Sequence, residues 1–139
     1  MSWKKTLFAI ALFIALLATP MVLASNPLMD YYQERIDRNP KTSFHRWLQL
    51  RVGGVCYKTL RPERSADAYR KFMTNFPQDP EFDFAWMRYA QSLEDANRNA
   101  EADEQYVLMM EAWEDRPERA EEREEARRGM LRVRYQKRK

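Results

Sequence analysis

Cys56 and His45 are the one cysteine and the one histidine of the chain, so any thiolate–imidazole chemistry has to use this pair. An acyl-transfer dyad needs its two side chains within about 3 Å of each other. On a single helix, residues eleven positions apart stand roughly 16 Å apart along the axis. The pair therefore forms no dyad unless the helix breaks between them. Cys56 reads instead as a small buried residue, and His45, one turn from an expected helix start, as a surface or capping residue. One Cys and one His also leave no Cys/His zinc set within a monomer, and no CxxCH haem site. Carboxylates cluster at 94–95, 101–104 and 121–125. A hydrolytic pair must face itself across a cleft, and nothing in these spacings separates such a pair from a solvated helix face. With three glycines, neither GxGxxG nor GxxxxGKS occurs, and there is no EF-hand loop. The expectation is a protein with no enzymatic activity, no metal and no cofactor.

The elements that would position any site read as helices. Hairpin dipeptides are absent and no stretch alternates apolar and polar for long. Apolar residues instead step by three or four, as in Phe44, Trp47, Leu48, Val52, Val55 and Cys56, or Ala102, Tyr106, Met109, Met110 and Trp113. Prolines at 40, 62, 77, 80 and 117 punctuate the runs, each marking a boundary or a first turn. Helices are predicted at about 28–39, 43–59, 63–76, 81–96, 100–114 and 117–135, with Asn97 or Asn99 in the left-handed turn that closes the fourth.

Residues 1–24 carry a different message. Lys4 and Lys5 precede an unbroken apolar run from Leu7 to Ala18, Pro20 interrupts it, and Ala24 offers a small residue before Ser25-Asn26-Pro27. This is the order of a secretory signal peptide cut after Ala24. The alternative keeps residues 7–24 as a membrane anchor, since eighteen residues just reach the lower limit for a span. The protein is expected to be exported and periplasmic, or else anchored in the inner membrane by that segment.

A period runs through the helices. Shifting the chain by 37 residues pairs Pro40 with Pro77, Gly53 with Ala90, Ser65 with Ala102, Tyr69 with Tyr106, Phe72 with Met109 and Phe76 with Trp113, and makes Arg51 and Arg88 identical. A small residue (Gly53, Ala90) is followed twelve later by another (Ser65, Ala102), then four later by Tyr69 or Tyr106, and Trp86 stands four before Ala90. The pattern resembles the tetratricopeptide repeat over residues 41–114, as two repeats. It departs from that pattern in its 37-residue period, in Gln49 where the first large aromatic belongs, and in Glu114 where a proline would end the unit. The resemblance implies an all-α fold of stacked antiparallel helix pairs, a short α-solenoid that works as a protein-binding adaptor. Residues 25–40 would supply an N-terminal helix, and residues 115–139 a charged capping helix with a basic tail. Trp86 and Trp113 are each expected to bury much of roughly 150–250 Å².

The 139 residues carry a net charge of +3, unevenly distributed. Residues 25–77 sum to +5, 78–114 to −8 and 115–139 to +4. The last segment runs from acid to base, the order a helix dipole favours, and offers Glu124 with Arg128 as a pair at i,i+4. Such segregation bears on association. The acidic stretch, through Asp83, Glu94, Asp95, Glu101, Asp103 and Glu104, is expected to take a protein with a basic segment, including the basic end of a second copy in a homo-oligomer. Arg127, Arg128, Arg132 and Arg134 offer contact with an anionic membrane surface, whereas nucleic acid is a poor partner for an exported chain. The alternative to the exported adaptor is a single-pass accessory subunit of a membrane complex.

Cleavage separates the two readings. The intact mass of the protein recovered from its native cell is expected to be that of a chain beginning at Ser25, and a membrane-bound species still holding Leu7–Ala24 would establish the anchor instead.

Overall fold

The computed structural model describes residues 25–136, so the expected signal peptide or anchor (residues 1–24) and the end of the basic tail (Lys137, Arg138 and Lys139) lie outside the described residues. Among the described residues there are no strands. The helices are α1 (Asn26–Arg38), α2 (Ser43–Lys58), α3 (Pro62–Asn75), α4 (Phe82–Asp95), α5 (Asn99–Ala112) and α6 (Ala120–Gln136), the last led in by a 3₁₀ turn at Pro117–Arg119. Each packs against its neighbours in sequence, and α6 also reaches back to α4. No helix among the described residues is long and apolar enough to cross a membrane.

Local chemistry fixes the ends. Thr42 caps α2 by accepting the His45 amide, and Pro62 and Pro117 sit in first turns, where a missing N–H costs nothing. The α2–α3 and α4–α5 turns are the same structure placed 37 residues apart. Leu60 and Asn97 take left-handed backbone angles, φ 55° and 59°. The amides that follow them, on Arg61 and Arg98, each donate at 2.9 Å to the carbonyls of Cys56 and Leu93. That six-to-one bond with a left-handed residue is the Schellman closure. Asn97 suits it, whereas Leu60 adopts it at a steric cost with its side chain 90% exposed. The next connection also recurs. The amides of Phe76, Asp79 and Phe82 bond to Phe72, Phe76 and Asp79, and those of Trp113, Arg116 and Arg119 to Met109, Trp113 and Arg116.

Gly53, Ser65, Tyr69, Phe72, Ala90, Ala102, Tyr106 and Trp113 are buried, and Trp86 is half-buried. Trp86 meets Trp113 edge-on at 5.9 Å and donates its indole N–H to Gln105. Buried Ser65 bonds both to the Gly53 carbonyl and to Ser92 Oγ, tying α2, α3 and α4 together. Gln49, standing where the first repeat lacks its aromatic, is fully buried and exchanges two 3.1 Å hydrogen bonds with Gln33 of α1. A buried amide would otherwise be costly. Met29, Ile36, Leu48, Val52, Cys56 and Ala68 form a core across α1–α3, and a larger one runs from α3 to α6.

Ion pairs join α1 to α3 and α4 to α6. Asp30 binds Arg64 and Asp37 binds Lys71 between α1 and α3, while Glu94 binds Arg132 between α4 and α6. Arg46 of α2 grips Asp79 through both Nε and Nη2. Thirty-seven residues on, Asp83 of α4 meets Arg116, the same contact with its charges exchanged. Glu124 pairs with Arg127 and Arg128 with Glu125, so the expected Glu124–Arg128 pair gives way to two pairs at i,i+3.

Two outcomes follow from this packing. A Cβ on Gly129 would stand 2.4 Å from the Tyr106 ring, whereas one on Gly53 would stand 3.0 Å from the Tyr69 ring. Gly129→Ala is expected to destabilise by about 1–3 kcal/mol despite its helix-propensity gain, and Gly53→Ala by clearly less; urea denaturation of both variants checks the order. Asp79 is 8% exposed at its side chain, and the Arg46 guanidinium holds its carboxyl below the ordinary value of 3.8. A group depressed on folding stabilises above its unfolded value and loses that contribution as pH falls through its native one. Asp79→Asn should therefore lower the melting temperature at neutral pH and flatten its decline toward about pH 3.

Candidate functional site

Two adjoining grooves lie on either side of a ridge formed by α2. Aromatic–x₃–Arg pairs build their walls, because residues four apart on a helix lie on one face. Trp47 and Arg51 of α2 form one such pair, and Phe84 and Arg88 of α4 stand 37 residues further on. Arg51 lies 5.4 Å over the Trp47 ring, while Arg88 lies 5.4 Å over Phe84 and 4.8 Å over Tyr57. Trp47 also stacks on Phe44. The groove between α2 and α4, about 530 Å³, runs along these residues, with Gly54 of α2 and Tyr69 of α3 also lining it. Burial pushes the Tyr69 hydroxyl up to about 12, so it stays a neutral phenol. The groove between α1 and α2, about 490 Å³, is lined by Tyr31, Tyr32, Arg35 and Phe44, and it shares Trp47 and Arg51 with its neighbour.

Large rings stand open to solvent here. Phe44 is 58% exposed, Trp47 47% and Phe84 48%. Volumes of this size suit large side chains, and exposed aromatics gathered in one place mark an interaction surface. The electrostatics are one-sided. Among the described residues, Arg51, Lys58 and Arg88 meet no carboxylate within ion-pair distance, although most arginines of the chain do. Arg46 is held by Asp79, and Glu81 is the acid on the groove wall.

The residues that the sequence assigned to a partner are placed differently. Asp83 binds Arg116 and Arg119, and Glu101 binds Arg98. Glu94 takes both Arg132 and the Tyr106 hydroxyl, and Asp103 takes Arg134. Arg127 and Arg128 pair with acids one turn earlier on α6. Asp95 and Glu104 make no ion pair among the described residues, and Asp95 lines a pocket of about 300 Å³ with Tyr57, Leu60 and Pro62. The structure thus brings together within one chain much of the acid and base expected to meet across two. Cys56 and His45 share one unbroken α2. Burial raises the Cys56 thiol, and the His45 ring lies against the Asn39 carbonyl. Among the described residues, no three Cys, His, Asp or Glu side chains gather where they could hold a metal.

The sequence reading passed over Trp47, Tyr57, Phe84 and Arg88 as site residues. The usable signal was the Arg51/Arg88 identity at the 37-residue shift, each arginine preceded four residues earlier by an aromatic. No protein-family model matches this sequence, and comparison with the curated proteins returns no match.

Proposed function

We propose that this protein is an exported, non-catalytic scaffold of stacked tetratricopeptide-like helix pairs, and that it binds another protein along the α2–α4 face. The observation that carries this reading is the row of half-exposed rings and carboxylate-free arginines along adjoining grooves, set on a framework otherwise rich in ion pairs. A surface spending several aromatics on solvent loses hydrophobic stabilisation that burial by a partner would recover, at roughly 25 cal/mol per Å². The repeat reading is supported by turns and connections that recur at 37 residues, and by ion pairs that join alternate helices. Helix pairs in which each unit rests on its neighbours use such a face for binding. Export rests on the leader pattern of residues 1–24.

A photoreactive phenylalanine analogue placed at Phe84, and separately at Phe44, in the native cell should give a discrete protein adduct. The same analogue at Leu108, 42% exposed on α5, should give none. Adducts absent at both groove positions, or equally strong at Leu108, would defeat the assignment of this face.

A further inference from the structure

Acids are plentiful in this chain, yet Glu81 is the one acid lining the two grooves. Five of the ten acids in the −8 stretch of residues 78–114, namely Asp79, Asp83, Glu94, Glu101 and Asp103, pair with Arg46, Arg98, Arg116, Arg119, Arg132 and Arg134. Arg51, Lys58 and Arg88 have no carboxylate within ion-pair distance among the described residues, and Arg35, across the first groove, has only the Tyr31 hydroxyl at 3.5 Å. Arg51 and Arg88 do not reach into solvent at random. Each guanidinium lies over a ring, a cation–π contact that leaves N–H donors for a bidentate acceptor. Arg88 spends one donor on Gln91. A carboxylate is the complementary partner for such a fork.

Resting on the protein-binding reading above, we propose that the occupant of this face is an acidic segment of another protein. Carboxylates of that segment engage Arg51 and Arg88 while an intervening large apolar side chain enters the aromatic groove beside Trp47. Charge complementarity selects the segment, because the acid on the groove wall is Glu81 while Arg51, Lys58 and Arg88 line the same wall. Groove shape selects a chain over a bilayer, since the rings and cations flank hollows of about 490 and 530 Å³ that a planar headgroup surface does not fill.

The test uses the full-length chain and a fluorescently labelled peptide of about twelve residues, alternating Asp and Glu around one Phe, read by anisotropy. Its lysine counterpart and phosphatidylglycerol–phosphatidylcholine vesicles are the comparisons. The acidic peptide should bind, more weakly as salt rises, and Arg51→Gln and Arg88→Gln should each weaken it about tenfold. Arg88→Lys, which keeps charge but loses the stacked fork, should fall between wild type and Arg88→Gln. Arg127→Gln, far along α6 in its own pair with Glu124, should change nothing, and circular dichroism should show all variants equally helical. No binding of the acidic peptide at low salt, or binding indifferent to both Arg→Gln changes, overturns the proposal. Preference for the lysine peptide with adducts still forming at Phe84 overturns the acidic occupant and leaves the binding face standing. Vesicle binding alone, with no adduct at Phe84 or Phe44, overturns both.

Discussion

Two tyrosine rings set against glycine backbone hold the framework in place. Tyr69 lies over Gly53 of α2 and Tyr106 over Gly129 of α6, at distances where any side chain on the glycine would meet ring carbon. Close approach lets the helices on either side of α3 and α5 draw in until the ring is sealed, 2% exposed for Tyr69 and fully buried for Tyr106. The rest follows from that spacing. Ser65, four residues before Tyr69, comes near enough to α2 to bond the Gly53 carbonyl, and Glu94 comes near enough to α5 to accept the Tyr106 hydroxyl. That hydroxyl contact draws Glu94 toward the core, where Arg132 completes its shell and fastens α6 to α4.

Once the rings fix the helix spacing, charge has limited places to go. Side chains on alternate helices face each other, and the acids and bases there neutralise one another in pairs that are mostly exposed and individually worth little. Their value is in register and in what they exclude. A segment as acidic as residues 78–114 would repel itself if left unpaired. Pairing half of its acids internally turns part of a charged stretch into framework, while Arg51, Lys58 and Arg88 stay outside these pairs beside the exposed rings of α2 and α4.

The helices were legible because their signals are local. Prolines at 62 and 117 fall in first turns, and each boundary read from proline and periodicity lies within about three residues of the one observed. Asn97 as the left-handed closure was legible from residue type, and Leu60 was not. Leucine gives no sign of a positive φ, and only its place 37 residues before Asn97 points to it. The candidate face was less readable. Net charge by segment counts residues and ignores where the helices turn them: of the ten acids in the run, Asp79, Asp83, Glu94 and Asp103 meet arginines 31–38 positions away. Arg51 and Arg88 were visible as an identity, but their meaning lay in the rings beneath them: helical spacing grouped Trp47 with the apolar face of its helix and did not single out Tyr57 or Phe84.

The last described helix departs from the pattern on its outer face. Adding 37 to Phe84 and Arg88 gives Glu121 and Glu125, so α6 breaks the aromatic–x₃–Arg face that α2 and α4 share. Glu125 turns instead to Arg128 and Arg132 of its own helix. The same helix keeps the inward half of the design, since Ala126, Gly129 and Val133 are buried against the α3–α5 core. Packing residues continue through the last helix while the ring-backed arginines stop before it. If Arg51 and Arg88 served packing alone, they would be expected to persist wherever packing does. Their restriction to α2 and α4 separates two roles: the inner faces hold the helices together, and on the proposed reading the outer rows of α2 and α4 serve a partner.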